Sequence, residues 1–114
     1  MTDTRNAQSA DAGAMETLYA KLLGETARIG WAELQPFFAR GALLWVSAEL
    51  DLIAVAVAVA QDDQASIAAW LAAAQVGMLE AVQATDWFER NPPLWTVVVA
   101  PWVLVQERGA AVLH

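Results

Sequence analysis

The side chains able to do chemistry are few and scattered. The single histidine, His114, is the last residue, and there is no cysteine. A positioned imidazole, a thiolate nucleophile and a thiolate or paired-histidine zinc site are therefore disfavoured. An oxygen-ligated Mg²⁺ or Ca²⁺ needs converging carboxylates. Asp62 and Asp63 form the one adjacent aspartate pair, and with Asp51 they make the best case for a metal-assisted, carboxylate-dependent hydrolase. Helix capping explains the pair more simply. Glu49 and Asp51 lie at a predicted helix entry, where the macrodipole already favours acids. Ser9, Ser47 and Ser66 sit in no Gly-x-Ser-x-Gly elbow, and Gly24, Gly30 and Gly41 are too widely spaced to cradle a phosphate. No catalytic residue, metal ligand or cofactor is assigned on this basis.

What remains is a constellation for binding. Trp31, Glu33 and Arg40 fall on one predicted helix, and an arginine beside an indole can grip a carboxylate or a ring. With Trp102 and Gln106 from a predicted strand they would form a small-ligand pocket between that helix and the strand's end. In the plainer reading Arg40 satisfies the helix's last carbonyls and Trp31 simply packs.

The elements that must position these residues follow from pattern. The run Leu94–Glu107 is the richest in β-branched and aromatic residues, and its two alternating sets are both apolar, as in a strand covered on both sides. Pro101 has no N–H for a ladder, so the run should bend or bulge at Ala100-Pro101 into two halves. Residues 1–13 read as a disordered tail, 14–28 as an amphipathic helix, and 31–40 as a second helix started by Gly30, kinked or divided at Pro36 and stopped by Gly41. Residues 42–46 read as a strand, with Ser47 as N-cap of a buried helix over 50–60 despite the period-two alternation of valine with alanine. Asp62 or Asp63 caps a helix over 64–75 that Gly77 closes. A strand at 78–82, a short helix from Thr85 to Arg90, an extended Asn91-Pro92-Pro93 and a frayed tail at 109–114 complete the chain. The order predicts a single α+β domain over 14–108, with about three short strands packed by four to five helices.

Composition narrows the partners. Thirteen acidic against six basic residues give a net charge of −7, which argues against a basic footprint for nucleic acid or anionic membrane. No uncharged run reaches the roughly 20 apolar residues of a membrane span. The polar opening lacks the apolar run of a secretion signal, so the expected location is cytoplasmic. Six tryptophans exceed what a domain of this size readily buries, which predicts an aromatic surface patch and a protein partner, in the first instance a second copy.

The segments Glu25-Thr-Ala-Arg-Ile-Gly-Trp-Ala-Glu-Leu-Gln-Pro-Phe-Phe-Ala-Arg-Gly41, Glu49-Leu-Asp-Leu52, Leu94-Trp95 and Val99-Ala-Pro-Trp-Val-Leu-Val-Gln106 together resemble an uncharacterised family of small bacterial proteins, catalogued as a domain of unknown function. The resemblance spans roughly residues 15 to 108 and implies a stand-alone cytoplasmic domain without naming an activity. The leading functional expectation is a non-enzymatic interaction or regulatory module that self-associates through an aromatic, apolar patch. The small-ligand domain is the alternative, and the hydrolase comes third.

Overall fold

A computed structural model describes residues 2–108, with side-chain surroundings from residue 13 onward. Among the described residues are five helices and five strands: α1 (Thr2–Glu25), β1 (Ala27–Ile29), α2 (Trp31–Ala39), β2 (Leu43–Val46), α3 (Leu52–Ala60), α4 (Gln64–Ala72), β3 (Val76–Met78), α5 (Ala81–Arg90), β4 (Leu94–Val99) and β5 (Trp102–Glu107). The strands form one mixed sheet in the order β1-β4-β5-β2-β3, in which only β2 and β5 run parallel. The α+β class expected from sequence holds, with two more strands than anticipated.

The Leu94–Glu107 run is interior and divides at Ala100-Pro101 into two strands as expected, the break being a full reversal rather than a bend or bulge. It folds back on itself through Ala100 and a cis peptide to Pro101, so β4 and β5 are antiparallel neighbours with Val97 opposite Leu104 and Val99 opposite Trp102. Side-chain alternation then sorts the hairpin into two faces. Val97, Leu104 and the partly buried Trp95, Val99 and Trp102 join a core cluster with Leu22 of α1 and Leu52, Ile53 and Val55 of α3. Leu94, Val103 and Val105 join another with Trp31 and Leu34 of α2 and Trp87 of α5. Helices α1, α3 and α4 cover one side, here the three-helix face, and α2 and α5 cover the two-helix face. Leu52, Leu94 and Leu104 are wholly buried, each worth about 1.5–3 kcal/mol of apolar burial.

Several local expectations change. The tail predicted for 1–13 is helical from Thr2 in the described residues. Alanine-rich sequence without proline propagates cheaply from a helix already nucleated by docking, and Leu22 supplies that docking. β1 has no signature in the sequence because three residues carry no periodicity; its pairing with β4 creates it. Pro36 neither divides nor ends α2, which runs on to Ala39 from its Gly30 N-cap. Pro36 and Ala32 both lie on the exposed side, so the carbonyl deprived of its N–H partner faces water.

Ser47 does not cap α3. Asp51 does, accepting from the Ile53 N–H at 2.9 Å, while the Ser47 hydroxyl accepts from the Glu49 N–H in the preceding turn. Asp63 caps α4 as one of the two residues proposed. Gly77 does not close that helix; it lies in β3 against the Trp45 indole, where a Cβ would meet Nε1 at 3.0 Å. The strand predicted at 78–82 is displaced to Val76–Met78, and α5 begins at Ala81 after Glu80, with Thr85 inside it. The frayed tail predicted at 109–114 lies outside the described residues.

Three helices end in the same way. At α2 the Gly41 and Ala42 N–H groups reach back to Phe38 and Phe37, at α3 Asp62 and Asp63 to Val59 and Ala58, and at α4 Ala74 and Gln75 to Leu71 and Trp70. Each closure needs a left-handed residue, with φ of 71° at Gly41, 56° at Asp62 and 57° at Ala74. An alanine there pays a Cβ clash of about 1–2 kcal/mol that glycine avoids. Ala74→Gly should therefore raise stability by about 0.5–1 kcal/mol, after the unfolded-state entropy of glycine is subtracted. A higher urea midpoint at unchanged slope would show it.

Candidate functional site

The residues singled out by sequence do not come together. Trp31 is buried on the two-helix face, with its ring centroid 5.7 Å from that of Phe38 and 6.3 Å from that of Trp87. Glu33 is exposed, and the Arg40 guanidinium lies 4.8 Å from the Phe37 ring centroid. Trp102 and Gln106 are four residues apart on one strand and so point together, but to the three-helix face. The sheet stands between them and α2, and the pocket expected there does not form. Sequence could place these residues on a helix and a strand; it could not say which strand face the helix covers.

Gln106 is a structural staple. Its buried Nε2 donates to the Ser47 and Leu50 carbonyls, both at 2.8 Å, and its Oε1 accepts from Arg108 Nε at 2.5 Å. It ties the loop between β2 and α3 to β5. Beside it the Tyr19 hydroxyl donates to Asp51 Oδ2 at 2.6 Å. Partial burial pushes the Asp51 carboxyl up, but the Tyr19 hydroxyl and the Ile53 and Ala54 N–H groups outweigh it and hold the group below the usual carboxylate value. The same hydrogen bond pushes the Tyr19 hydroxyl up.

On the opposite face Trp87 Nε1 donates to Glu107 Oε1 at 3.0 Å, and Arg90 donates to both Glu107 and Asp86, binding α5 to β5. The Arg90 hydrogen bonds hold Glu107 low despite its partial burial. Both Asp51 and Glu107 are depressed from ordinary values of 3.8 and 4.5. Their contribution is thus complete above about pH 5 and is lost as pH falls through the folded values. The urea midpoint should be flat from neutrality to about pH 5 and fall below it. Asp51→Asn keeps a good cap but cannot titrate, so it should flatten part of that fall.

The carboxylates do not form a metal site. Asp51 precedes α3 and Asp62 and Asp63 follow it, and nine helical residues separate them by about 13 Å. Among the described residues no group of three or more His, Asp or Glu side chains is placed to hold a metal ion.

The feature with a binding shape lies between α4 and the sheet. Helix α3 packs its small and β-branched residues closely on the sheet, with Ala56 fully buried. The turn at Asp62-Asp63 then returns the chain as α4, none of whose nine residues is buried. Two indoles line the space between α4 and the sheet: Trp70 from the helix and Trp102 from the start of β5. The cleft there has a volume of about 250 Å³, and its lining is completed by Leu44, Val55, Val59, Ile67 and Val76, with the exposed Leu71 and Met78. The indole N–H groups of Trp70 and Trp102 are the only side-chain hydrogen-bond donors in its lining. Such a site accepts apolar surface and rejects charge. The helix that carries Ile67 and Trp70 is legible in the sequence, but a gap between helix and sheet leaves no trace in periodicity.

None of the six tryptophans is fully exposed: Trp31 and Trp87 are buried, and Trp45, Trp70, Trp95 and Trp102 are partly buried. Of the aromatic side chains, Phe88 is the one most open to solvent, and four tryptophans present part of their rings. The large apolar side chains most open to solvent include Leu71 and Met78 at the mouth of the cleft, and Val82 and Phe88 on α5. No helix among the described residues is long and apolar enough to cross a membrane.

Comparison with known proteins agrees with this architecture. Residues 17–107 match the family described as "Protein of unknown function (DUF2288)". The NMR solution structure of PA1075 from Pseudomonas aeruginosa is similar at 61% sequence identity with a TM-score of 0.74, over 83% of this chain and 88% of that one. No curated protein matches.

Proposed function

The chain belongs to the DUF2288 family of proteins of unknown function, and from its geometry we propose a binding rather than a catalytic role, with a small, uncharged, apolar molecule held in the cleft beneath α4. The observation that carries this is an apolar space of about 250 Å³ whose lining includes both Trp70 and Trp102. Indole rings lining an apolar space offer flat, polarisable surface on which a ring or chain can pack. The committed state of the carboxylates supports a non-enzymatic reading, since Asp51 and Asp63 cap helices and Glu107 is paired with Arg90. The reading keeps the cytoplasmic setting expected from sequence.

Indole and octan-1-ol are suitable probes of ring and chain. Titration followed by NMR should move the indole N–H resonances of Trp70 and Trp102 and the methyls of Val55 and Ile67, leaving Trp31 and Trp87 unmoved. A probe at about 100 times its dissociation constant should add roughly 2.7 kcal/mol of stability. Val59→Phe, which fills the cleft from a half-buried position, should abolish both effects. Shifts scattered over the surface, or unchanged in Val59→Phe, would remove the proposal.

A further inference from the structure

The two ends of the sheet differ. The outer strand β1 carries the exposed Arg28 at its centre, and a charge on an edge strand discourages another strand from pairing there. The outer strand β3, Val76-Gly77-Met78, has no such guard. Ser47 donates to Gln75 and Leu79 to Leu43 across the β2–β3 pair. By the alternation of an antiparallel ladder, Gly77 also turns its polar groups toward β2, and those of Val76 and Met78 point outward.

The surroundings of that edge are equally unguarded. From Gln64 through Leu79 there is no charged side chain, although the chain as a whole carries −7. This stretch is α4, its closing turn and β3. It is largely surface, with Leu71 51% and Met78 46% exposed. Two copies of so acidic a chain repel wherever their charged faces meet. Here they need not.

We propose that β3 is a homodimer edge: a second copy of this chain pairs its β3 antiparallel to the first about a twofold axis normal to the sheet. That operation keeps the three-helix faces on the same side. It brings α4 of each copy alongside the seam, where the alanines Ala65, Ala68, Ala69 and Ala72 let helices approach and Leu71 and Met78 supply apolar contact. The outward N–H and C=O groups of Val76 and Met78 find partners, and the sheet becomes continuous through both copies. This inference does not rest on the ligand reading.

Sedimentation equilibrium of the full chain without ligand, from about 1 μM to about 1 mM, tests it. The mass should rise from 12.3 kDa toward twice that value, and the Met78 amide should exchange more slowly at the concentrated end. Met78→Lys and Leu71→Glu, both at exposed positions, should each weaken association at least about tenfold, and Arg28→Ala on the opposite edge should leave it no weaker. A mass of 12.3 kDa throughout, or a dimer indifferent to both variants, would overturn the proposal. Because the mass is read without a probe, either result leaves the cleft to be judged by its own indole shifts.

Discussion

Gln106→Ala should lower the folding free energy by about 3 kcal/mol, a large share of the roughly 5–15 kcal/mol that holds a domain of this size together. The side chain is 2% exposed and is shared between two carbonyls, at Ser47 and Leu50, that belong to no ladder. Its removal strands the Leu50 carbonyl, while that of Ser47 keeps the Leu50 N–H at 3.0 Å, and it opens a void on the face of β5 that Leu104 shares. The stranded acceptor costs about 1–3 kcal/mol unless water enters, and the void left by the truncated side chain adds to it. Gln106→Glu is the sharper test, because a carboxylate of nearly the same shape cannot donate to either carbonyl and should lose as much or more. Urea unfolding gives the magnitude, and faster exchange of the amides in the 47–51 loop would localise it. A loss below about 1 kcal/mol in both variants would mean that the loop is held by something else.

Trp87→Ala should cost about 3–5 kcal/mol. The indole is 2% exposed, lies edge-on to Trp31 with centroids 6.3 Å apart, and fills the space between α2, α5 and the sheet. Trp87→Phe separates packing from hydrogen bonding. It keeps most of the ring but removes the donor to Glu107, and should cost nearer 1–2 kcal/mol. The Arg90 pairs with Asp86 and Glu107 are largely exposed, so Arg90→Ala should cost well under 1 kcal/mol. If Arg90→Ala proved the costlier change, α5 would be held chiefly by charge rather than by its tryptophan.

The sequence was most legible where one physical cause dominates. Leu52–Ala60 reads as a helix through its length and alanine content although valine and alanine alternate as in a strand, and Asp63 caps the next helix as an aspartate before a helical run should. Leu94–Glu107 announced its burial because it offers apolar residues to both faces. Legibility failed where the cause is a partner far along the chain. The three residues of β1 are a strand only because β4 lies beside them. Gly77 looked like a helix stop because the indole pressing on it comes from Trp45. The hairpin reversal at Pro101 and the bend first expected there demand the same missing N–H, and only the register of Val97 with Leu104 separates them. The expected site failed for the same reason: Trp31 and Trp102 were each placed on the right element, but the sheet lies between them.

The strand order has a consequence for biosynthesis. β4 and β5 occupy the second and third places in the sheet, yet among the described elements they come last along the chain. β1 can pair only with β4, and the β2–β3 pair can join only through β5. A nascent chain therefore emerges from the ribosome with no complete sheet for its helical segments to dock on, and the α3 segment holds out a nearly wholly apolar surface until the final hairpin arrives. Closing the parallel contact between Leu43 and Val103 spans most of the domain, so assembly is late and concerted rather than stepwise. Chaperone occupancy during translation should accordingly persist until the hairpin has cleared the exit tunnel, and then fall sharply.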